Sequence, residues 1–313
     1  MLISVICPLY NEVKHIEPLI QFFLHSMPAE KELLLVDGLS TDGTRAIIEK
    51  YITQYPGKIK LLDNPQKHVP FALNLAIKEA TGSYIARLDA HTLYPSNYFE
   101  VCMEEILLHG ATNVGGHITA KGEGDRGAAI AYSMSCKFGV GNSDFRTVIK
   151  DGYVDTVPFG FWKRTVFDEM GLFDEQLKRN QDDEFNARTI SLGGTVYQSS
   201  KICSEYYVRN SLSKLGSQYF QYGLYKPLVL KKVKSAIRLR HLVPAFFVLY
   251  IVSLPLAYAV PVLLLPLLMY GALALYFSFK NSLTVKQKFL ALLVFPTLHL
   301  SYGAGFIVGL FKK

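Results

Sequence analysis

Hydrophobic positions in the first ninety residues fall into two alternating patterns. Residues 2–9 form an apolar run that ends at Tyr10-Asn11-Glu12, as a buried strand would, and residues 16–23 then carry helical spacing. Residues 32–36 predict a second strand. It ends in Asp37-Gly38-Leu39-Ser40-Thr41-Asp42-Gly43-Thr44, where Ser40 or Asp42 can cap a helix carrying Ala46, Ile47 and Ile48. Residues 59–62 predict a third strand and residues 70–80 a third helix. After a helix stop at Gly82, residues 84–88 predict a fourth strand. This order predicts an α/β fold with a mostly parallel sheet and right-handed crossovers. Every strand ends in polar residues: Asn11 and Glu12, Asp37, Asn64, then Asp89 and His91. They line the sheet edge where open α/β folds bind ligands.

Beyond this the pattern changes. Residues 110–160 are rich in glycine and read as long functional loops. A helical stretch at 164–170 leads to Gly171-Leu172-Phe173-Asp174-Glu175, and Gln181-Asp182-Asp183-Glu184 opens another helix with Ala187 and Ile190 on one side. Residues 218–240 alternate aromatic, aliphatic and basic side chains, which fits a helix lying among lipid headgroups. Residues 242–279 hold no charge and could make two short membrane spans, and residues 289–311 are a third candidate. Re-entrance near Gly303-Ala304-Gly305 would keep Lys312 and Lys313 on the side of the other lysines.

Charge sharpens this division. The 313-residue chain is 50% hydrophobic with formal net charge +7, but its first 200 residues carry 19 basic and 25 acidic side chains. Residues 201–240 carry nine basic and one acidic, and residues 241–313 five lysines and no acid. A basic belt beside uncharged runs fits an anionic membrane face and argues against nucleic acid as partner. Cys7, Cys102, Cys136 and Cys203 are scattered without metal-finger or CxxC spacing, which fits a reducing compartment. Residues 2–9 lack a basic leader and are cut off by Asn11-Glu12, so they read as a strand and not a signal peptide.

The candidate chemistry sits at the strand ends. Asp89-Ala90-His91 places a carboxylate and an imidazole where a strand stops, either as a turn cap and a surface histidine or as groups for a divalent ion and a phosphate. Asp37 and Asp42 are turn and capping residues or ligand acceptors. The carboxylates of 182–184 either satisfy a helix N-terminus or supply an ionised base for a sugar hydroxyl. No G-x-G-x-x-G follows the first strand and no P-loop lysine occurs, so dinucleotide and P-loop chemistry are disfavoured.

Taken in order, Pro8-Leu9-Tyr10-Asn11-Glu12, Val36 to Thr44, Ala72-Leu73-Asn74, Asp89-Ala90-His91, Gly171 to Glu175 and Gln181-Asp182-Asp183-Glu184 resemble the motifs of family 2 glycosyltransferases with the GT-A fold, over roughly the first 230 residues. Arg87-Leu88-Asp89-Ala90-His91, Phe138 to Asn142, Val157-Pro158-Phe159-Gly160 and Asn180 to Glu184 are most similar to the bacterial exopolysaccharide branch with its succinoglycan-type glucosyltransferases. The resemblance implies an inverting hexosyltransferase using a nucleotide-sugar donor, UDP-linked, with Mg²⁺ or Mn²⁺. It implies donor contacts at Pro8, Tyr10, Glu12, Asp37, Asn74, Arg87 and Asp89, with Pro8, Glu12 and Asp37 at the uridine. Asp89 would be the acid of the metal motif, His91 would stand where the family often has a second aspartate, and Asp182 would be the base, with Asp183 the alternative. Gln181 replaces a usual glutamate and Leu73 a frequent arginine. Gln218-Tyr219-Phe220-Gln221-Tyr222 only loosely follows the Gln-x-x-Arg-Trp of processive synthases, which disfavours polymer extrusion.

The resulting expectation is a GT-A Rossmann-like catalytic domain over 1–215, with a nucleotide-binding half to about residue 115 and an acceptor half over 116–215. A basic interfacial segment over 216–240 and two or three transmembrane helices over 241–313 follow. Such an enzyme would sit in the cytoplasmic membrane with its catalytic domain in the cytoplasm, moving sugar to a lipid-linked (polyprenyl) oligosaccharide for exopolysaccharide or cell-surface polysaccharide, in an assembly complex or as a homo-oligomer. The alternatives are transfer to polyprenyl phosphate itself, or an inactive membrane scaffold of polysaccharide export.

Overall fold

A computed structural model describes residues 1–312, which divide into two compact units: Met1–Ile118 with Val148–Tyr206, and Thr119–Thr147 with Tyr207–Lys313. In chain order the first elements are β1 (Ile3–Leu9), α1 (Ile16–His25), β2 (Lys31–Asp37), α2 (Thr44–Gln54), β3 (Ile59–Asp63), α3 (Val69–Glu79), β4 (Tyr84–Arg87), β5 (Thr92–Leu93) and α4 (Tyr98–His109). Then come β6 (Asn113–Lys121), α5 (Gly124–Met134), the short α6 (Lys137–Val140) and α7 (Asp144–Thr147), β7 (Gly152–Tyr153), β8 (Phe161–Lys163), α8 (Thr165–Met170), α9 (Gln181–Ser191) and β9 (Val196–Tyr207). Four long helices close the chain: α10 (Leu212–Lys232), α11 (Leu239–Ser253), α12 (Leu264–Phe279) and α13 (Val285–Leu310).

The sheet order is β3-β2-β1-β4-β8-β6-β9-β5, with β7 also pairing with β9. β3, β2, β1 and β4 are parallel, and β8 turns the sheet antiparallel on both of its sides. β1 and β2 carry apolar side chains on both faces through residues 5–9 and 33–36 because both faces are covered. Val5, Cys7, Leu33 and Leu35 enter one core, while Ile6, Leu34 and Val36 enter the opposite core with Trp162, Phe173 and Phe185.

The N-terminal ends of the parallel strands are held by a buried carboxylate. Glu32 accepts bonds from Ser4 Oγ (2.6 Å), Thr81 N (2.6 Å) and Thr81 Oγ1 (2.6 Å), and Lys60 Nζ lies 3.2 Å away. Burial alone would raise its pKa, but these partners outweigh it and bring the group down to about 2. Gly82 completes the joint, since a Cβ there would lie 2.7 Å from Leu2 O and Ser4 N.

Three expectations change. Residues 110–160, read as loops, contain the nine-residue β6 and the eleven-residue α5. The glycines of β6 are packing residues: a Cβ at Gly116 would lie 2.0 Å from Ile202 O, and one at Gly115 2.7 Å from Val157 Cβ. Residues 119–147, expected inside the first domain, cluster with the C-terminal helices, where α5 packs on α13. Within that unit α13 also touches α10, α11 and α12. It begins at a Thr284–Gln287 capping box and runs unbroken through Gly303-Ala304-Gly305, so no re-entrant turn forms there. Three segments are long and apolar enough to cross a membrane: Leu239–Tyr258, Pro261–Phe279 and Val285–Leu310.

Candidate active site

The loops after β1 and β2 clasp one another. Asn11 adopts φ 56°, which lets its backbone N–H donate to Ser40 Oγ (2.7 Å) while its side-chain oxygen accepts from Thr41 N (2.9 Å). Glu12 N donates to Thr44 Oγ1 (2.9 Å), and Val13 N donates to Asp42 Oδ2 (3.1 Å). Asp42 also accepts from Thr44 at the start of α2, and those bonds hold its carboxyl below the usual range. Asp37 is fully buried; it accepts from Ser40 N (2.9 Å), Ser40 Oγ and Arg45 Nη1 (2.8 Å), and Arg45 also reaches Asp63 (2.7 Å). The structure therefore spends Asp37 on shaping this loop. Pro8 lies opposite Val36 in the β1–β2 register. Tyr10 stands half-exposed above Gly38, with Lys67 Nζ 5.1 Å from its ring centre.

A second cluster forms where β4 stops. Arg87, on the last position of β4, is buried and directs its guanidinium between two carboxylates. Nη2 donates to Asp89 Oδ1 (3.1 Å), and Nη1 lies 4.0 Å from Asp182 Oδ2 with no hydrogen-bond partner. The Asp89 backbone N–H donates to Tyr94 Oη (2.8 Å), which fixes the turn beyond the strand. His91 Nδ1 lies 3.0 Å from Glu12 Oε1, joining this cluster to the β1 loop.

Asp182 is the second residue of α9, whose N-cap Asn180 takes the left-handed conformation (φ 62°). Its Oδ1 accepts from Asp183 N (2.9 Å), and its side chain keeps 39% exposure. The protein crowding this carboxyl removes water and pushes its pKa up. Arg87 opposes that shift, and the Asp183 and Asp89 carboxylates add to it. A carboxylate with raised pKa, still open to solvent, suits proton abstraction from a hydroxyl.

Of the residues singled out in the sequence, Arg87, Asp89 and Asp182 thus form one group and Glu12 and His91 a pair, and the turn from Asp89 to His91 links the two. Asn74 joins neither. Its amide donates to Phe173 O (2.8 Å) and Glu175 Oε1 (2.9 Å) and accepts from Phe173 N (2.9 Å), so it braces the 171–175 segment against α3. Glu184 is likewise structural, buried against Arg188 (2.7 Å), whose Nη2 donates to Leu172 O (2.8 Å). Sequence reading missed Tyr94 and the buried pair Asn113–Asn186 (2.7 Å). Asn186 lay one helical turn beyond Asp182, which was the available signal; nothing marked Tyr94.

Among the described residues no three His, Cys, Asp or Glu side chains are grouped to hold a metal ion. Asp89 supplies one hard carboxylate and His91 one borderline imidazole donor, an incomplete set that a divalent ion of the Mn²⁺ kind can fill with water and substrate phosphate oxygens. The donor chemistry therefore fits an ion that arrives with a diphosphate.

The sequence model of glycosyl transferase family 2 matches residues 4–171. The succinoglycan biosynthesis protein ExoA of Rhizobium meliloti (strain 1021) is 29% identical over 307 residues, covering 96% of this chain and 93% of the relative. The dolichyl N-acetyl-alpha-D-glucosaminyl phosphate 3-beta-D-2,3-diacetamido-2,3-dideoxy-beta-D-glucuronosyltransferase of Methanococcus voltae is 31% identical over 245 residues, 74% of each chain. Among solved structures, the mannosyltransferase PcManGT from Pyrobaculum calidifontis, in complex with GDP-Man and Mn²⁺, aligns with 99% of this chain and 87% of its own at TM-score 0.69 and 18% identity. The fold is the GT-A arrangement expected.

Proposed function

The chain belongs to glycosyl transferase family 2, and on that premise we propose that it is a membrane-attached inverting glycosyltransferase. It moves a sugar from a nucleotide-sugar donor, UDP-linked, to a lipid-linked saccharide during assembly of an exopolysaccharide or cell-surface polysaccharide. The observation that carries the reading is the convergence of Asp89 and Asp182 on the buried Arg87 guanidinium. It supports a donor-side role for Asp89 and a base role for Asp182 within one site.

Asp182 accepts the proton of the acceptor hydroxyl as that oxygen bonds to the anomeric carbon and the bond from that carbon to the nucleoside diphosphate breaks. Arg87 hydrogen-bonds Asp89, and its Nη1, 4.0 Å from Asp182 Oδ2, opposes the upward shift of that carboxyl's pKa and so favours the ionised base. Pro8, Tyr10 and Glu12 face the nucleoside, on a loop whose shape Asp37 maintains. Asp89 and His91 would hold Mg²⁺ or Mn²⁺, which when bound neutralises charge on the leaving diphosphate. The gain from holding donor and acceptor in line adds to these effects. The near full-length likeness to the succinoglycan protein and the likeness to a dolichyl-phosphate-sugar transferase support polysaccharide assembly on a lipid carrier.

The test is release of nucleoside diphosphate by the detergent-purified protein across a panel of UDP- and GDP-sugars, with lipid-linked acceptors and with or without Mn²⁺. Acceptor-dependent release from a UDP-sugar, lost on chelation, is the expected result. Release from no donor under any condition would overturn the reading.

A further inference from the structure

We propose that the second unit enters the lipid bilayer through the outer part of the α11–α12 hairpin alone, beyond the level at which Gly303 packs on Pro244 (a Cβ there would lie 2.1 Å from Pro244 O) and Tyr270 Oη lies 2.9 Å from His299 Nδ1, and that α13, although apolar enough to cross, stays outside the hydrocarbon. This rests on the membrane attachment proposed above and sharpens it into a surface with one occupant, an anionic bilayer.

The hairpin has the exposed surface such an occupant needs. Val243, Phe246 and Val252 face outward from α11, and Leu265, Leu268 and Met269 from α12, with Val252 72% and Leu268 66% exposed. The connecting residues 254–263 contain no charged side chain, and Tyr258 at the tip is 99% exposed. Basic residues stand at the hairpin's two ends only: Lys231, Lys232, Lys234, Arg238 and Arg240 before it, Lys280, Lys286 and Lys288 after it. An apolar loop with cationic flanks matches hydrocarbon bordered by anionic headgroups, and it sets both ends at one face.

α13 is built differently. Of its most apolar stretch 39% is buried in protein, against 11% for each of the other two candidates. From residue 294 to 307 none of its residues is exposed. It packs backbone to backbone on α10: a Cβ at Gly223 would lie 2.0 Å from Tyr302 O, one at Gly305 2.1 Å from Phe220 O, and one at Gly309 2.3 Å from Leu224 O. Gly216 beside Thr297, Phe220 beside Gly305 and Leu224 beside Gly309 ascend together, so α10 and α13 run side by side in the same direction and share one inclination to any membrane. The exposed positions of α10 are Ser213, Lys214, Ser217, Lys231 and Lys232, all polar. On another side, Lys286 at the start of α13 pairs with Asp125 of α5 (2.8 Å), and Phe138 O lies 2.8 Å from His299 Nε2. A crossing by α13 would drag α10 and its lysines into hydrocarbon, at about 3 kcal/mol for each lysine near the centre. A helix apolar all round is equally at home inside a protein, and the neighbours of α13 supply that interior.

Single cysteines placed at Ser282, Val308 and Leu265 in the full chain, with Cys203→Ser to remove background, test the proposal in membrane vesicles with an impermeant maleimide. S282C and V308C bracket α13 and should label from the same vesicle face, while L265C should label only after detergent is added. Labelling of S282C and V308C from opposite faces, or protection of V308C until detergent is added, overturns the proposal. Free labelling of L265C in vesicles likewise overturns the proposal, whereas recovery of the protein in the soluble fraction without detergent overturns membrane attachment itself.

Discussion

Asp182 carries an electrostatic conflict that distinguishes a working base from a structural acid. Its pKa is pushed up by loss of water and by Asp183 and Asp89, so the ionised form is disfavoured in the folded protein. Once pH rises through that shifted value, the ionised group costs the fold stability that a neutral side chain would not. Asp182→Asn should therefore lower turnover by about 10²–10⁴-fold, the usual worth of a general base, while leaving donor affinity intact and the melting temperature equal or higher. A variant that melts well below the parent would mark Asp182 as structural. The same shift sets the acid limb of kcat/KM above the ordinary aspartate value of about 4. Asp183→Asn removes a neighbouring negative charge and should move that limb to lower pH; an unmoved limb would assign the titration to another group. Asn74 illustrates what sequence could not resolve at this scale. Its motif was legible, but both amide donors go to Phe173 and Glu175, a fact set by tertiary contact alone.

At the scale of elements, the parallel half of the sheet was readable because β1 and β2 are buried on both faces and so leave apolar runs at residues 5–9 and 33–36. β6 was not, because Gly115 and Gly116 answer to Val157 and Ile202 across the fold and look locally like turn residues. Glu32 belongs to the same class: an acid in an apolar strand is unreadable until Ser4, Lys60 and Thr81 are placed around it. Its lowered pKa gives stability that is present above the unfolded value of about 4.3 and is lost as pH falls toward about 2. Glu32→Gln keeps the shape but removes the charge from four partners, and should cost on the order of 2 kcal/mol at neutral pH. The matching signature is a flatter stability curve between pH 5 and pH 2 by denaturant titration. A variant as acid-sensitive as the parent would place the titrating group elsewhere.

Over the whole molecule, the sequence located the apolar third but could not separate its helices, because lipid and protein interior select the same side chains. Exposure separates them, and it identifies the residues that matter for attachment. Moving one exposed aliphatic or aromatic side chain from water into hydrocarbon is worth about 1.5–3 kcal/mol, against about 1 kcal/mol for each basic residue at an anionic surface. Only the second contribution is screened by salt. The parent protein should therefore stay with vesicles through a molar salt wash, since the hairpin holds it when the lysines no longer do. Phe246→Ser, Val252→Ser and Leu268→Ser together remove three of the most exposed apolar side chains of α11 and α12. They remove on the order of 5–8 kcal/mol of insertion energy by the same scale. What remains is held by charge, so the triple variant should become extractable by salt alone. None of the three lies in the unit that carries Arg87, Asp89 and Asp182. Its detergent-phase turnover with a solubilised acceptor should therefore stay within about threefold of the parent, given that substitutions in independent units rarely couple. Salt-resistant attachment of the triple variant would move the anchor to α13, and lost turnover would show that the hairpin does more than hold the enzyme at the membrane.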